Sequence, residues 1–394
     1  MKKNLINMVF LLIILLLLIG ILINPQLSLK GATEGLITWF NIVLPSLLPF
    51  FIISEILIAI GFLDIIGNFL EPLMRPLFNL PGIAAFPFSM SIISGYPTGS
   101  KIVASLRKDN LITKTEGERM LVLSSTSGPL FMLGAVTVGM FNNLKLAPLI
   151  LYPHYLGAIT MGFLFRFYKH KDNFIKKNKK NSIKLAKFKK RSFFNKNYPP
   201  IGVILMNSVK NSMNSILLIG GFIIFYSVII ELLFASKPFN LNYYVFPIDI
   251  NILQGLLAGI LELTTGCKKI TCANVDLITK ITIINFIIGW GGISIHSQVL
   301  AFLSNTDLNG RIYIIAKFFH GILASIYGVI LYKLKYKKII ETTFFTDFNT
   351  IDSIYFIKWP TNFINSIKLS ILIVLYLFIS SLIMMLVWYL LRRK

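Results

Sequence analysis

The sequence predicts an all-α integral membrane protein, with about eight transmembrane helices plus two re-entrant helical hairpins in two inverted-topology repeats. The first observation is the composition: of 394 residues, 55% are apolar and only 14% are charged, and the mean hydropathy is +0.73. About a quarter of the residues of a soluble domain are charged, so this chain is expected to lie in a bilayer. The second observation is an internal repeat, and the third is a strongly basic segment between its two copies.

The repeat is marked by the tetrad Thr-Gly-x-Lys, which occurs as Thr98–Lys101 and again as Thr265–Lys268. Each copy lies in an apolar segment that glycine interrupts. In each half a second polar or glycine-rich cluster follows, at 124–129 and at 289–294, and then an apolar helix with a glycine near its middle. Three features in the same order predict an internal repeat.

Hydropathy and helix-breaking residues divide each half into elements. The first half is predicted to contain an uncleaved N-terminal span (5–24), a long span bent at Pro45 and Pro49 (36–63), an amphipathic interfacial piece (64–79), an interrupted segment (82–104) and two spans (119–141 and 145–167). After a basic loop (168–198), the second half is predicted to contain a span (203–234), an interrupted segment (252–272), two spans (279–303 and 311–332), a polar loop (335–362) and a last span (366–391).

These elements divide the chain into five parts. The predicted parts are an N-terminal transmembrane helix (1–30), a first repeat (31–168), a basic cytoplasmic loop (169–200), a second repeat (201–335), and a polar loop with a C-terminal transmembrane helix (336–394).

The basic segment determines the predicted orientation. From Lys169 to Lys196 the chain has 12 Lys or Arg residues and a single acid, Asp172. Positive residues favour the cytoplasmic side. With the N-terminus inside, the basic loop is cytoplasmic only if segment 82–104 returns to its own side as a re-entrant hairpin. The second repeat then starts from the opposite side, which predicts inverted topology; the lysines of 333–338 would lie outside, against the same rule.

The interrupted segments predict a binding site. Irregular backbone persists within a membrane only where protein buries it or where it lines a wet cavity. A helix that starts at Thr98 would direct its positive dipole end into the gap left by Gly95-Tyr96-Pro97, which suits an anion. We therefore expect a small anionic substrate between the two segments. The expected substrate-binding residues are Thr98, Gly99, Ser100, Lys101, Ser125, Ser127, Thr265, Gly266, Lys268 and Gln298.

Glu262 and His296 are the candidates for coupling to a proton or a sodium ion, because ionisable residues within a membrane are usually functional and histidine titrates near neutral pH. Structural interpretations stay open. In place of a binding role, the glycines could serve close helix packing alone, and the two tetrad lysines could extend to the membrane–water interface. In place of a coupling role, Glu262 could form a structural pair with Lys268, and His296 could be a hydrogen-bonded structural histidine. Four hydroxyl residues at 124–127, directly before Gly128-Pro129, favour a broken helix.

Several classes of protein are disfavoured. The sequence contains no HExxH, GxSxG or P-loop pattern and no metal-type cluster, so neither an enzyme nor an ATP-driven pump is expected, and no cofactor or metal. Cys267 and Cys272 lie in or beside one apolar segment, which argues against a disulfide framework. The basic run carries no nucleic-acid-binding motif, so nucleic acid is not an expected partner. The lipid bilayer is an expected partner. A homo-oligomer stays open.

Three motifs carry a resemblance to a known family: 94–101 (SGYPTGSK), 124–131 (SSTSGPLF) and 291–298 (GGISIHSQ). With these motifs the chain resembles the YlbJ family of sporulation integral membrane proteins, also called the stage V sporulation protein V family. That family belongs to the group that shares the Gate, or nucleoside recognition, domain. The resemblance covers about residues 30–335 and makes the two repeats, 31–168 and 201–335, Gate-type repeats.

The resemblance implies a function that the residues alone do not. It implies a protein of the outer forespore membrane that moves dipicolinic acid from the mother cell toward the developing spore. Dipicolinate is a planar ring with two carboxylates, which agrees with the expected anion site. Two alternatives stay open: a nucleoside or nucleobase carrier, and a structural or assembly factor of the forespore membrane that transports nothing.

Overall fold

The computed structural model describes residues 2–60, 62–169, 199–235 and 250–336, and all regular structure within these ranges is helical. The predicted all-α membrane class is confirmed. Five helices are long and apolar enough to cross a membrane, or six if one bent pair counts as a single span. Most of the basic loop and the predicted last span at 366–391 lie outside the described residues, and the total number of spans and the inverted topology stay predictions.

The helices fall into two sets. The first half contains α1 (Lys2–Ile23), α2 (Pro25–Thr38), a π turn (Trp39–Val43), α3 (Leu44–Ala59), α4 (Phe62–Phe78), α5 (Ala85–Ser94), α6 (Thr98–Lys108), α7 (Lys114–Leu123), a π segment (Phe131–Met140) and α8 (Ala147–Phe165). The second half contains α9 (Ile201–Ala235), α10 (Ile250–Leu261), α11 (Leu263–Cys272), α12 (Leu277–Trp290), α13 (Gly292–Leu303) and α14 (Gly310–Leu331).

The second predicted span starts earlier than expected. Helix continues without interruption from Pro25 to Ala59, so the expected start at 36 is wrong. Lys30 and Glu34 lower the hydropathy of the first turns, but Lys30 is neutralised by Glu231 of α9, whose carboxylate lies 3.1 Å from its Nζ. The π turn directly precedes Pro45, which has no N–H to offer the turn before it.

Both interrupted segments fold as helical hairpins. In the first hairpin, α5 and α6 pack so closely that a Cβ at Gly99 would lie 2.7 Å from the Cβ of Ser91. In the second hairpin, α10 and α11 cross at Gly259 and Gly266, where a Cβ at Gly266 would lie 2.1 Å from the Gly259 Cα. Only glycine permits such backbone contact. Neither segment is therefore a straight helix.

The helix after each hairpin is also broken. The predicted span at 119–141 consists of α7, a non-helical stretch at 124–128, and the π segment. The predicted span at 279–303 consists of α12 and α13, separated at Gly291 and Gly292, whose φ angles of 91° and 78° are left-handed. The hydroxyl run predicted the first break, and the second break lies in the predicted glycine cluster at 289–294; residues Leu277–Leu303 together are long and apolar enough for the predicted span at 279–303.

The two halves join through α2 and α9, which lie antiparallel. A Cβ at Gly31 would lie 2.9 Å from the backbone oxygen of Ser227. One end of the contact thus pairs Gly31 with Ser227, and further along, the indole N–H of Trp39 donates to the backbone oxygen of Ile216 at 3.0 Å. These long helices open the two predicted repeats, and their opposite directions are those that inverted repeats would produce.

Candidate functional site

A cavity lies where both hairpin tips and both helix breaks meet, and we call it the central cavity. Its polar lining residues are Ser94, Tyr96, Ser127, Glu262, Thr264, Ser294 and Gln298. Four phenylalanines also line it: Phe50, Phe51, Phe131 and Phe222. The two interrupted segments therefore face one shared space, because each contributes its tip to the same wall.

The first hairpin is fixed to the first helix break by backbone contact and by hydroxyl groups. Gly95, at the tip, has a φ of 71°, and a Cβ there would lie 2.5 Å from the amide nitrogen of Gly128. The hydroxyls of Ser100 and Ser125 lie 2.7 Å apart, and the Thr126 hydroxyl donates to the Ser91 carbonyl at 2.9 Å. The hydroxyl run thus ties α5 and α6 to the break.

The second hairpin is capped by its own carboxylate. Glu262 is the residue before α11, and its Oε2 accepts from the backbone N–H of Thr265 at 2.6 Å. A Cβ at Gly292 would lie 3.0 Å from the amide nitrogen of Leu263, so this tip rests directly on the second break. The carboxylate thus stabilises the first turn of α11 and also lines the central cavity.

Two polar groups in the cavity wall have unused bonding capacity. The hydroxyl of Ser294 and the side-chain oxygen of Gln298 are buried, and neither has a hydrogen-bond partner among the described residues. Both residues lie on α13 and line the central cavity. Since buried polar atoms are nearly always bonded, these two can bind a polar ligand there.

Comparison with known proteins gives this cavity a family context. The chain is 36% identical over 326 residues to the sporulation integral membrane protein YlbJ of Bacillus subtilis (strain 168), which covers 79% of each chain. It belongs to the YlbJ family. The Gate family, described as nucleoside recognition, matches residues 40–144 of this YlbJ-family chain, which contain the first hairpin and the first helix break. No solved structure matches the chain.

The substrate-binding residues expected in the first half fall into three groups. Ser127 lines the central cavity, whereas Ser100 and Ser125 lie behind it and bond to each other. Thr98 and Gly99 start α6 next to the tip, and Gly99 also contacts the first break, since a Cβ there would lie 2.0 Å from the Ser124 oxygen. Lys101 is exposed, outside the cavity lining, with its Nζ 5.9 Å from the ring centroid of Phe302.

Those expected in the second half divide between two cavities. Gln298 lines the central cavity, and Gly266 forms the crossing of α10 and α11. Thr265 and Lys268 instead line a second cavity, which we call the side cavity. The other residues lining the side cavity are Glu34, Thr38, Ser227, Ile230, Glu231, Lys269 and Cys272.

The two cavities lie along the same three helices. α2 with its π turn, α9 and α11 contribute lining residues to both cavities. In the wall of the side cavity, the hydroxyls of Ser227 and Thr265 lie 3.1 Å apart, and Lys268 Nζ donates to the Thr38 hydroxyl at 2.7 Å. These two hydrogen bonds hold α11 to α9 and to α2.

Of the two coupling candidates, Glu262 lies in the central cavity and His296 lies outside its lining. His296 is buried on α13, where its Nδ1 lies 3.2 Å from the Tyr313 hydroxyl and its ring packs edge-on against Trp290 at 4.2 Å. Its Nε2 has no hydrogen-bond partner among the described residues.

Lys317 is the central ionisable residue that the sequence analysis missed. Its side chain is 1% exposed, and its Nζ lies 2.6 Å from the Tyr96 hydroxyl, 2.9 Å from the Ser125 carbonyl oxygen and 2.8 Å from Nδ1 of His320. It connects the last helix of the second half to the first hairpin and the first break. The available signal was a lysine in the middle of an apolar span, which is a functional candidate by default.

Proposed function

We propose that this protein is a secondary transporter of a small aromatic dicarboxylate, with dipicolinic acid as the specific substrate, exported from the mother cell toward the forespore during sporulation. The observation that carries the proposal is the central cavity, in which two hairpin tips and two broken helices meet and buried polar groups lack partners. The family relation supports an integral membrane protein of sporulation. A location in the outer forespore membrane is part of the proposal.

Helix termini support an anionic substrate. α6 starts at Thr98 beside the tip residues Gly95 and Tyr96, and α13 starts at Gly292 beside Ser294. The N-terminal end of a helix presents unbonded N–H groups and a partial positive charge, so it binds carboxylates well. The start of α11 does not have this capacity to the same degree, because Glu262 already accepts from its amides.

Aromatic lining supports a flat ring. Phe50, Phe51, Phe131 and Phe222 form apolar walls around the polar tips. Aromatic faces and edges pack favourably against another ring, whereas an aliphatic dicarboxylate would use them less well. Alternating access would then open the cavity to one membrane face at a time, with Glu262 or His296 coupling the cycle to a proton or a sodium ion.

A nucleoside or nucleobase carrier is the second candidate function. The Gate match is described as nucleoside recognition, and phenylalanine walls would also hold a base. The partnerless Ser294 hydroxyl and Gln298 oxygen would then bond a ribose or a base edge. A factor that only organises the membrane would use neither the cavity nor these atoms.

Counterflow into proteoliposomes tests the proposal. Vesicles containing the full-length protein are loaded with unlabelled dipicolinate or uridine, and entry of the labelled compound is measured. We expect dipicolinate counterflow that excess uridine does not inhibit. Uridine counterflow without dipicolinate counterflow would support the second candidate, and the absence of both would support a structural factor.

A variant of the cavity wall makes the test specific. Gln298→Leu removes the partnerless oxygen at nearly constant volume, so we expect weaker dipicolinate counterflow, by roughly fivefold to tenfold, with unchanged thermal stability. Ser297→Ala is the matched control, because the neighbouring Ser297 is exposed and lies outside the cavity lining, where its hydroxyl bonds to the Ile293 carbonyl and, at 3.5 Å, to the Tyr226 hydroxyl. Equal loss in both variants would contradict a role for Gln298 at the substrate.

A further inference from the structure

The hydrogen bonds around Lys317 require one positive charge in the membrane interior. The carbonyl of Ser125 can only accept. The His320 ring has its Nε2 at 2.8 Å from the His154 carbonyl, so Nε2 carries a proton and Nδ1 of a neutral ring accepts from Lys317. The Tyr96 hydroxyl donates to the Ile288 carbonyl at 3.2 Å, so it also accepts from Lys317. Three acceptors use all three protons of an ammonium group.

The other protonation pattern that satisfies every bond has the same net charge. In it, a doubly protonated His320 donates to a neutral Lys317, which donates its two protons to Tyr96 and Ser125. A neutral cluster has only four protons for these five hydrogen bonds, so one of the bonds would be left unmade. The cluster of Tyr96, Lys317 and His320 therefore carries one positive charge when all its bonds are made.

This charge has no direct counter-ion in the described part of the chain. No carboxylate there forms a salt bridge with Lys317, and its partners are a hydroxyl, a carbonyl and an imidazole. A buried charge without an opposite charge is costly. An anion that binds nearby would act as the missing counter-ion, and its binding would be strengthened by electrostatic attraction. Neutral ligands gain little from it.

Tyr96 separates this charge from the central cavity. Lys317 Nζ lies 4.8 Å from the centroid of the Tyr96 ring, and Tyr96, unlike Lys317, lines the cavity. The 3.2 Å bond from the Tyr96 hydroxyl to the Ile288 carbonyl is long for an O–H donor. A carboxylate in the cavity would therefore compete well for the same proton, because charge-assisted hydrogen bonds are about twice as strong as neutral ones.

The geometry points to Tyr96 and Lys317 as the carboxylate-recognition pair of the central cavity: the Tyr96 hydroxyl donates to a substrate carboxylate while Lys317 donates to the same hydroxyl and supplies the charge. The assignment rests on the proposed function and deepens it. It makes the pair the element that selects an anion over a neutral ring of the same size. Bonding from Lys317 also makes the Tyr96 hydroxyl a stronger donor.

Calorimetric titration of the purified full-length protein tests the pair. The ligands are pyridine-2,6-dicarboxylate, its uncharged diamide, uridine, and a panel of other aromatic carboxylates. Tyr96→Phe keeps the ring and removes only the hydroxyl, so we expect the Kd for the dicarboxylate to rise roughly tenfold or more. Lys317→Met should weaken it further. Tyr327→Phe is the matched control, since it removes a hydroxyl that bonds to Thr160 away from the cavity.

The outcomes distinguish the proposed role of Tyr96 and Lys317 from the proposed identity of the substrate. If the wild type binds the dicarboxylate and folded Tyr96→Phe binds it equally well, the pair is refuted and the proposed function stands. If the wild type binds another carboxylate instead, and Tyr96→Phe weakens that binding, the pair stands and dipicolinate is the wrong substrate. Binding of uridine or the diamide without any carboxylate would overturn both. Should Lys317→Met fail to fold, Tyr96→Phe still decides.

Discussion

The two hairpin tips have the same position in their halves but opposite chemistry. When the tetrads are superimposed, Gly95 of the first tip corresponds to Glu262 of the second. The first tip therefore carries no charge of its own and receives one from Lys317, through the hydroxyl of Tyr96. The second tip carries its own carboxylate, which is used to cap α11. With the proposed charge on Lys317 and an ionised Glu262, the central cavity would be positive at the first tip and negative at the second.

This difference has a consequence for the proposed transport. A site with equal charges at both tips would hold a symmetric dianion in two equivalent ways. With Lys317 behind one tip and Glu262 in the other, one carboxylate of a substrate is attracted and the other faces a like charge unless Glu262 is protonated or paired with a cation. On the proposed function, substrate binding would therefore depend on a coupling ion at Glu262, and variants in each half test this difference between the tips.

The largest effect on stability is expected where the two arms of each hairpin pack together, and it should be similar in both halves. Gly99→Ala and Gly266→Ala would put a Cβ within 2.0 Å and 2.1 Å of backbone atoms, and such overpacking should lower the free energy of unfolding by about 3 kcal/mol. Thermal unfolding followed by size-exclusion chromatography measures this. Gly221→Ala is the control, because nothing lies within 4 Å of a Cβ there. Equal stability of all three variants would contradict the hairpin packing.

The next effect should differ between the tips. Glu262→Ala removes the cap of α11 and leaves the Thr265 N–H without its acceptor, which should destabilise the protein by about 1–2 kcal/mol. Glu262→Gln keeps an acceptor oxygen, so its stability should stay near that of the wild type while the pH dependence of counterflow changes. If Glu262→Gln unfolds as readily as Glu262→Ala, the charge and not the cap stabilises the tip.

The tetrad lysines also differ between the two halves. Lys268 lies in the side cavity and donates to Thr38, whereas Lys101 is exposed beside Phe302. We expect Lys268→Met to change dipicolinate counterflow by roughly fivefold, equivalent to about 1 kcal/mol, because it removes the charged donor that holds α11 to Thr38 of α2 beside the second tip. Lys101→Met should have little effect. The reverse order would show that the tetrad of the first half binds substrate.

Much of the scaffold was predictable because its signals are local. Glycine and proline at 95–99 predict a helix break, and the positive charge of 169–196 predicts that the segment is re-entrant. Glu262 was recognisable for a similar reason, since an acid within an apolar run needs an explanation. The start of α2 was missed because charges that are paired across helices look unfavourable in one helix alone.

The direction of side chains was harder to predict because it depends on packing between distant segments. Thr264 lines the central cavity while its neighbour Thr265 lines the side cavity, a difference that helix rotation alone produces. Lys317 lies 221 residues from Tyr96 in the chain, and no short pattern connects them. The role of His320 depends on the same long-range contact. Such residues can be recognised as candidate functional residues only when the packing of the two halves is known.

The smallest effect is expected at the ends of the hairpin arms, outside the membrane-spanning segments. Arg107, at the end of α6, donates to both carboxylate oxygens of Asp307 at 2.7 and 2.9 Å, while Lys269 of α11 pairs with Glu231 at 3.3 Å. The hydrogen bond from Arg107 lowers the pKa of Asp307 below its usual 3.8. The pair therefore contributes stability above about pH 4, and this contribution is lost as the pH falls through the lowered pKa.

Since about half of the Asp307 side chain is exposed, Asp307→Asn should cost less than about 0.5 kcal/mol at neutral pH. Thermal unfolding of the variant and the wild type at pH 7 and pH 3 measures the difference, which should shrink at pH 3 and also at high salt. Asp109→Asn, on the same surface near the end of α6, is the control for a general loss of negative charge, because no salt bridge is formed by Asp109 within the described residues. A difference at pH 3 that equals the one at pH 7 would mean that Asp307 acts through its shape and not through its charge, and the first hairpin arm would then not be held electrostatically.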